Sequence, residues 1–179
     1  MKKTICALAF LFAAWGTAQK KVDLKASYGT ASLFGITESI TGNIINAIIA
    51  GPSVNYDSNG VFSAEVMIHN DDSKWQYGIG YNYERVKDDH YNYKINFNTF
   101  LLQANYTWNN PQNKMKLYSG AGVGALFSSF EGRDNNNNNV YLAFNLSPVG
   151  IRYGEKLGVF VETNIGTKGF LQGGASYTF

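Results

Sequence analysis

Eight stretches of one-by-one alternation, charges confined to one face of them, and connections short at one end and long at the other predict the fold. It is all-β: an eight-stranded antiparallel up-and-down β-barrel that crosses a membrane. Side chains on a strand alternate faces, so each stretch sorts into two columns. One column carries Trp, Tyr, Phe, Leu and Val almost without charge. The other carries most glycines together with Asp23, Lys25, Glu65, Glu84, Lys116, Arg152 and Glu162. A soluble barrel would point its apolar column inward and its charges into water. Glycines sharing a face with the charges predict the reverse, because a narrow interior needs small residues and hydrocarbon needs apolar ones. Closure follows, since lipid offers no partner to an open sheet edge.

The strands run in order. Val22–Ser32 sets Val22, Leu24, Ala26 and Tyr28 against Asp23, Lys25, Ser27 and Gly29. Val61–His69 sets Phe62, Ala64, Val66 and Ile68 against Ser63, Glu65, Met67 and His69. Trp75–Val86 alternates most clearly, with Trp75, Tyr77, Ile79, Tyr81 and Tyr83 backed by Gln76, Gly78, Gly80, Asn82 and Glu84. Ile95–Trp108 turns Phe100, Leu102, Ala104, Tyr106 and Trp108 outward. Met115–Phe127 does so with Leu117, Ala121, Val123, Ala125 and Phe127. Val140–Tyr153 begins with Val140, Leu142, Phe144 and Leu146 outward, and after Pro148 the apolar parity moves to Val149, Ile151 and Tyr153. A one-residue shift at a proline predicts a β-bulge. Leu157–Gly166 is the seventh strand. The eighth reaches Phe179, with Leu171, Gly173, Ala175, Tyr177 and Phe179 on one side and Phe170, Gln172, Gly174, Ser176 and Thr178 on the other.

Asn70–Lys74, Asn109–Lys114 and Gly154–Lys156 are short and rich in turn residues. The alternate connections, Leu33–Gly60, Lys87–Lys94 and Gly132–Asn139, are longer, and only Gly166–Gly169 is tight among them. That asymmetry places the short turns and both termini at the periplasmic rim and the long loops outside. In the first long loop Ile36, Ile40, Ile44 and Ile48 recur every four residues, which predicts a short amphipathic helix within 33–50. On the other reading, Ile44–Val54 extends the second strand above the membrane. Trp75, Tyr106, Trp108 and Tyr153 beside the short turns, and Tyr28, Tyr83 and Phe127 near the outer rim, suit headgroup girdles.

Lys2 and Lys3, the apolar run Ile5–Trp15 and the small residues before Gln19 predict a signal peptide over 1–18, leaving one barrel domain over 19–179. Loss of Lys2 and Lys3 brings the 15 basic residues level with the 13 acidic ones, so nothing favours nucleic acid. The only cysteine, Cys6, leaves with the leader, and disulfide and thiolate chemistry with it.

Within the barrel, Lys25, Lys116 and Arg152 are expected to neutralise Asp23, Glu65, Glu84 and Glu162 in a lumen network, because an unpaired buried charge is expensive. The same charges would instead set selectivity if the lumen conducts. Gly120-Ala-Gly122-Val-Gly124 lacks the spacing and the following helix of a nucleotide loop; its glycines are expected to make room for Tyr118, Lys116 or Phe160. Asp88-Asp89-His90 reads as a solvated loop, with surface cation binding as the lesser reading, and His69 as a hydrogen-bonding group near a periplasmic turn. No catalytic residue, cofactor or metal is expected.

An aromatic at Phe179 with Tyr177 two residues before it resembles the closing strand of bacterial outer-membrane barrels, where such a pair forms part of the assembly signal. With the leader and the alternation, the whole chain over 19–179 resembles small OmpX/OmpA-like outer-membrane barrels, in the style of short Bacteroidota barrels. The resemblance implies two partners, the outer-membrane bilayer and the barrel assembly machinery, and a monomer. The first functional reading is a non-enzymatic barrel, a rigid cylinder displaying outer loops for surface contact or envelope integrity. A narrow passive channel is the second reading. A lipid-modifying enzyme is the third; it needs a Ser nucleophile beside a His at the outer-leaflet level, but His69 falls at the wrong rim, His90 has no Ser at its second neighbour, and Ser128 and Ser129 belong to another hairpin.

Overall fold

The computed structural model describes residues 20–33, 57–88, 93–131 and 136–179. In chain order the strands are β1 (Lys20–Gly29), β2 (Asp57–Asn70), β3 (Trp75–Asp88), β4 (Tyr93–Thr107) and β5 (Met115–Glu131). β6 (Asn136–Gly154), β7 (Leu157–Thr163), β8 (Ile165–Gly166) and β9 (Leu171–Thr178) complete the sheet. The two-residue β8 continues β7 past a break at Asn164, so the nine labels make a ring of eight strands. Each strand pairs antiparallel with its neighbour, β9 returns to β1, and β5 pairs with β6 to close the cylinder. Closure removes every edge except at the rims.

Lys20 and Phe179 lie at one rim, called here the near rim, with the turns after β2, β4 and β6. Ser73 N–H donates to the Asn70 carbonyl at 3.1 Å, and Asn113 N–H to that of Asn110 at 3.0 Å. Phe179 N–H bonds the Val22 carbonyl at 2.9 Å, so the last residue is held by β1. At the far rim the three long connections contain 34–56, 89–92 and 132–135, which lie outside the described residues. The helix expected within 33–50, apart from Leu33, and His90 therefore lie outside them, as does the expected leader over 1–18.

The columns fall as the alternation predicts. Leu142 is 77% exposed, Leu102 67% and Val159 62%, whereas Asp23, Glu65, Glu84 and Glu162 are buried. A monomer in water rarely leaves apolar patches beyond a few hundred Å2, and this apolar surface wraps the wall. The barrel is apolar outside and, from Glu84 toward the near rim, mostly polar within.

The bulge sits where Pro148 places it. Tyr118 pairs with Gly150 but Gly120 with Ser147, so Pro148 and Val149 oppose Ser119 alone. Both bulged residues face outward, which moves the outward set from even to odd numbers. Trp108 Nε1 donates to Ser119 Oγ at 2.9 Å, and Ser119 Oγ donates onward to the Pro148 carbonyl at 2.5 Å. The carbonyl freed by the bulge is thus satisfied.

One column assignment is corrected. Phe170, expected on the Gln172 side, is 44% exposed. It precedes β9 in a turn where Gly166 and Gly169 have φ of 134° and 80°, and alternation does not extend across left-handed backbone. The far rim is also uneven. β6 continues from Asn145, which pairs with Gly166, up to Asn136, and β3, β4 and β5 rise with it, while β7 to β9 stop low.

Candidate functional site: the filled lumen

The low side of the far rim is where the interior is closed. In the turn between β8 and β9, Thr167, Lys168 and Gly169 are buried, so this turn folds into the barrel instead of standing above it. Asn82 Nδ2 donates to Thr167 Oγ1 at 3.2 Å, and Lys168 N–H to Asn145 Oδ1 at 3.2 Å. Thr30 pins the turn's exit by accepting from Phe170 N–H at 3.0 Å and Leu171 N–H at 3.2 Å.

Lys168 is 2% exposed, and its Nζ closes ion pairs with Glu65 on β2 and Glu162 on β7. Those strands are separated by β1 and β9, so the bridge spans the lumen. Glu65 also faces Lys25 Nζ at 3.9 Å, and Glu162 accepts from Tyr118 OH at 2.8 Å. Lys25 Nζ lies over the rings of Tyr118 at 5.0 Å and Phe160 at 5.5 Å. Two carboxylates and two ammonium groups make the cluster neutral, which is what removal of water demands. Tyr118 reaches it because Gly150, opposite on β6, has no side chain: a Cβ there would collide with the Tyr118 ring.

Toward the near rim, Asp23 accepts from Gln76 Nε2 at 3.2 Å and from Thr178 Oγ1, and faces His69 Nε2 at 3.3 Å. His69 Nδ1 lies 3.1 Å from the Asn70 carbonyl. Arg152 donates Nε to Ser176 Oγ at 2.7 Å, Nη1 to the Gly154 carbonyl at 2.7 Å and Nη2 to that of Glu155 at 2.8 Å. Toward the far rim, Glu84 accepts from Ser32 N–H at 3.1 Å, from Ser32 Oγ and from Ser58 Oγ at 3.0 Å. Beside it the lumen becomes apolar: Val86, Ile95, Phe97, Leu101, Leu126 and Ala143 pack as one buried cluster.

Six of the seven lumen charges named from the sequence are buried, and Lys116 is half-buried at the near-rim mouth. They do not form one network. Lys25 meets Glu65; Arg152 binds carbonyl and hydroxyl groups; Glu84 is held by serine groups; among the described residues Lys116 closes no ion pair. The cation that joins the carboxylates is Lys168, which the alternation left in a turn and so never assigned to a face. Its signal was the brevity of Gly166–Gly169 among far-rim connections. The β5 glycines also serve differently from expectation. A Cβ on Gly120 would meet Asn105 and one on Gly122 would meet Gln103, both on β4, so they make room for neighbours in the wall. Tyr177 and Phe179 both face outward at the near rim, ring centroids 4.8 Å apart.

Fold and interior together define the class: a closed eight-stranded antiparallel barrel with an apolar exterior and a filled lumen. Among solved structures it is similar to the N-terminal β-barrel domain of Pseudomonas aeruginosa OprF, with a TM-score of 0.57 and 12% identity over 89% of this chain and 97% of that chain. It also matches Neisserial surface protein A (NspA), with a TM-score of 0.43 and 12% identity over 90% and 95% of the two chains. A third match is Ail, the attachment invasion locus protein of Yersinia pestis, in complex with the heparin analogue sucrose octasulfate. Its TM-score is 0.44, with 12% identity over 89% of this chain and 96% of that one. The likeness is one of fold. No protein-family model matches the chain, and no curated protein matches it in sequence.

Proposed function

We propose that residues 19–179 form an outer-membrane barrel, exported behind a leader over 1–18, that works without enzymatic chemistry as a rigid support for far-rim loops. The observation that carries this reading is the filled interior. The Lys168–Glu65–Glu162 bridge, the Tyr118 and Phe160 rings and the apolar cluster above them occupy the path a permeant ion would need. A stiff, closed cylinder leaves the long connections as the parts that vary and meet partners. His69 is engaged with Asp23 and the Asn70 carbonyl at the near rim, away from those loops, which argues against the lipid-enzyme reading. Tyr177 and Phe179, outward on the strand that closes against β1, suit recognition by the barrel assembly machinery.

Planar-bilayer recording of the purified, reconstituted chain tests this reading. The expected trace shows no stable conductance steps; regular ion-selective openings would replace it with the channel reading.

A further inference from the structure

The outer face of the tall wall carries a column of three cations that, among the described residues, close no ion pair. On the outward side of β3 and β4 the register stacks four cross-strand pairs: Tyr81 with Phe100, Tyr83 with Asn98, Arg85 with Asn96, and Lys87 with Lys94. The lower pairs belong to an aromatic belt, since Phe62 on β2 and Phe127 on β5 stand in register with Tyr83 and Asn98. Tyr81 OH donates to Asn98 Oδ1 at 2.7 Å and Tyr83 OH to Asn96 Oδ1 at 3.1 Å, so the phenol ends point up the wall into an amide ladder. Arg85 Nε donates to the same Asn96 Oδ1 at 2.8 Å, which fixes the guanidinium above the belt, 5.9 Å from the Tyr83 ring centroid.

Like charges directly opposite each other on a sheet are destabilising, yet Lys87 and Lys94 are such a pair. Among the described residues, Arg85, Lys87 and Lys94 close no ion pair. In backbone register Asp57 pairs with Lys87 and Glu131 with Lys94, so by sequence three cations stand against two acidic residues and the column keeps a positive excess centred on Arg85. Arg85 and Lys87 lie two and four residues beyond Tyr83, about 7 and 13 Å along the strand and, with a tilt of about 40°, roughly 5 and 10 Å above the belt, so Arg85 stands at headgroup level and the long Lys87 and Lys94 side chains start just above it. Headgroup layers begin where aromatic belts sit and are roughly 5–8 Å deep.

We propose that the Arg85–Lys87–Lys94 column is a binding surface for the phosphate groups of lipids in the leaflet around the far rim, ordering those lipids against one side of the barrel. This rests on the membrane reading above. A basic residue near a lipid surface contributes about fivefold in affinity for anionic headgroups, and Arg adds bidentate geometry toward phosphate.

The test reconstitutes the wild-type chain and R85Q/K87Q/K94Q into phosphatidylcholine vesicles containing spin-labelled phosphatidate. The readout is the fraction of immobilised label relative to spin-labelled phosphatidylcholine. The wild type should select phosphatidate on the order of tenfold or more at low salt, and the triple variant should lose most of that selection. K21Q/K114Q, which removes cations already paired with Asp71 and Glu155 at the near rim, should keep it. Equal selection in the triple variant, or none in the wild type, overturns the proposal while leaving the barrel reading standing. Failure of the wild type to float with vesicles at all would defeat the barrel reading itself.

Discussion

Lys168 carries one positive charge between two buried carboxylates, and without it Glu65 and Glu162 face each other across the lumen with Lys25 as the remaining ammonium. Breaking a buried pair by removing one partner costs about 3–5 kcal/mol, because the other charge stays buried. Lys168→Met should therefore lower stability by about that much in urea titrations of the vesicle-bound barrel followed through Trp75 and Trp108 fluorescence. Lys168→Met combined with Glu162→Gln should lie closer to wild type than the single change does. A loss under about 1 kcal/mol would mean that water screens the cluster as it screens surface pairs. Gly150 makes a separate prediction. Gly150→Val forces the Tyr118 ring aside and should cost about 1–3 kcal/mol by the same titration, partly recovered when Tyr118→Leu is added. None of this was legible from the residue alone. Glu65 and Lys168 are far apart in sequence, and their meeting depends on a turn folding inward.

The strands were the legible part. Hydrocarbon on one side and a narrow interior on the other force two chemistries onto alternate residues, and in β3 from Trp75 to Glu84 the pattern runs unbroken. Even the parity shift after Pro148 was readable, because a proline lacks the N–H that a regular ladder uses. What the pattern missed was height. Ile95, Phe97 and Leu126 point inward despite being apolar, since above Glu84 the lumen is an ordinary apolar core. Pairing of charges was missed for a related reason: alternation assigns a face and says nothing of which inward residues share a level. The bulge predicts an unusual asymmetry between two deletions. Removing Val149 leaves Pro148 alone opposite Ser119 and keeps Gly150 and Arg152 inward, so the chain should still fold and float with vesicles. Removing Phe144 brings Ala143 and Asn145, both inward, next to each other and should prevent folding. Equal behaviour of the two deletions would contradict the assigned faces.

At the scale of the molecule, an apolar outer surface and a neutral charge cluster at the centre describe a cylinder suited to being surrounded by lipid. Its wall is highest over β3 to β6, where the phosphate-binding column lies, and lowest where Lys168 corks it. Leu102 is 67% exposed near mid-wall, so Leu102→Arg should cost about 2–4 kcal/mol in bilayers by urea titration, as lipid-facing charge does near the midplane. The orientation of the two columns decides everything else. It is measured most directly by placing single nitroxide labels at each position from Leu157 to Ile165 in reconstituted vesicles and comparing collision with oxygen, which concentrates in lipid. High collision rates at 157, 159, 161, 163 and 165, with low rates at 158, 160, 162 and 164, are the predicted result; the opposite parity, or no alternation, would contradict it.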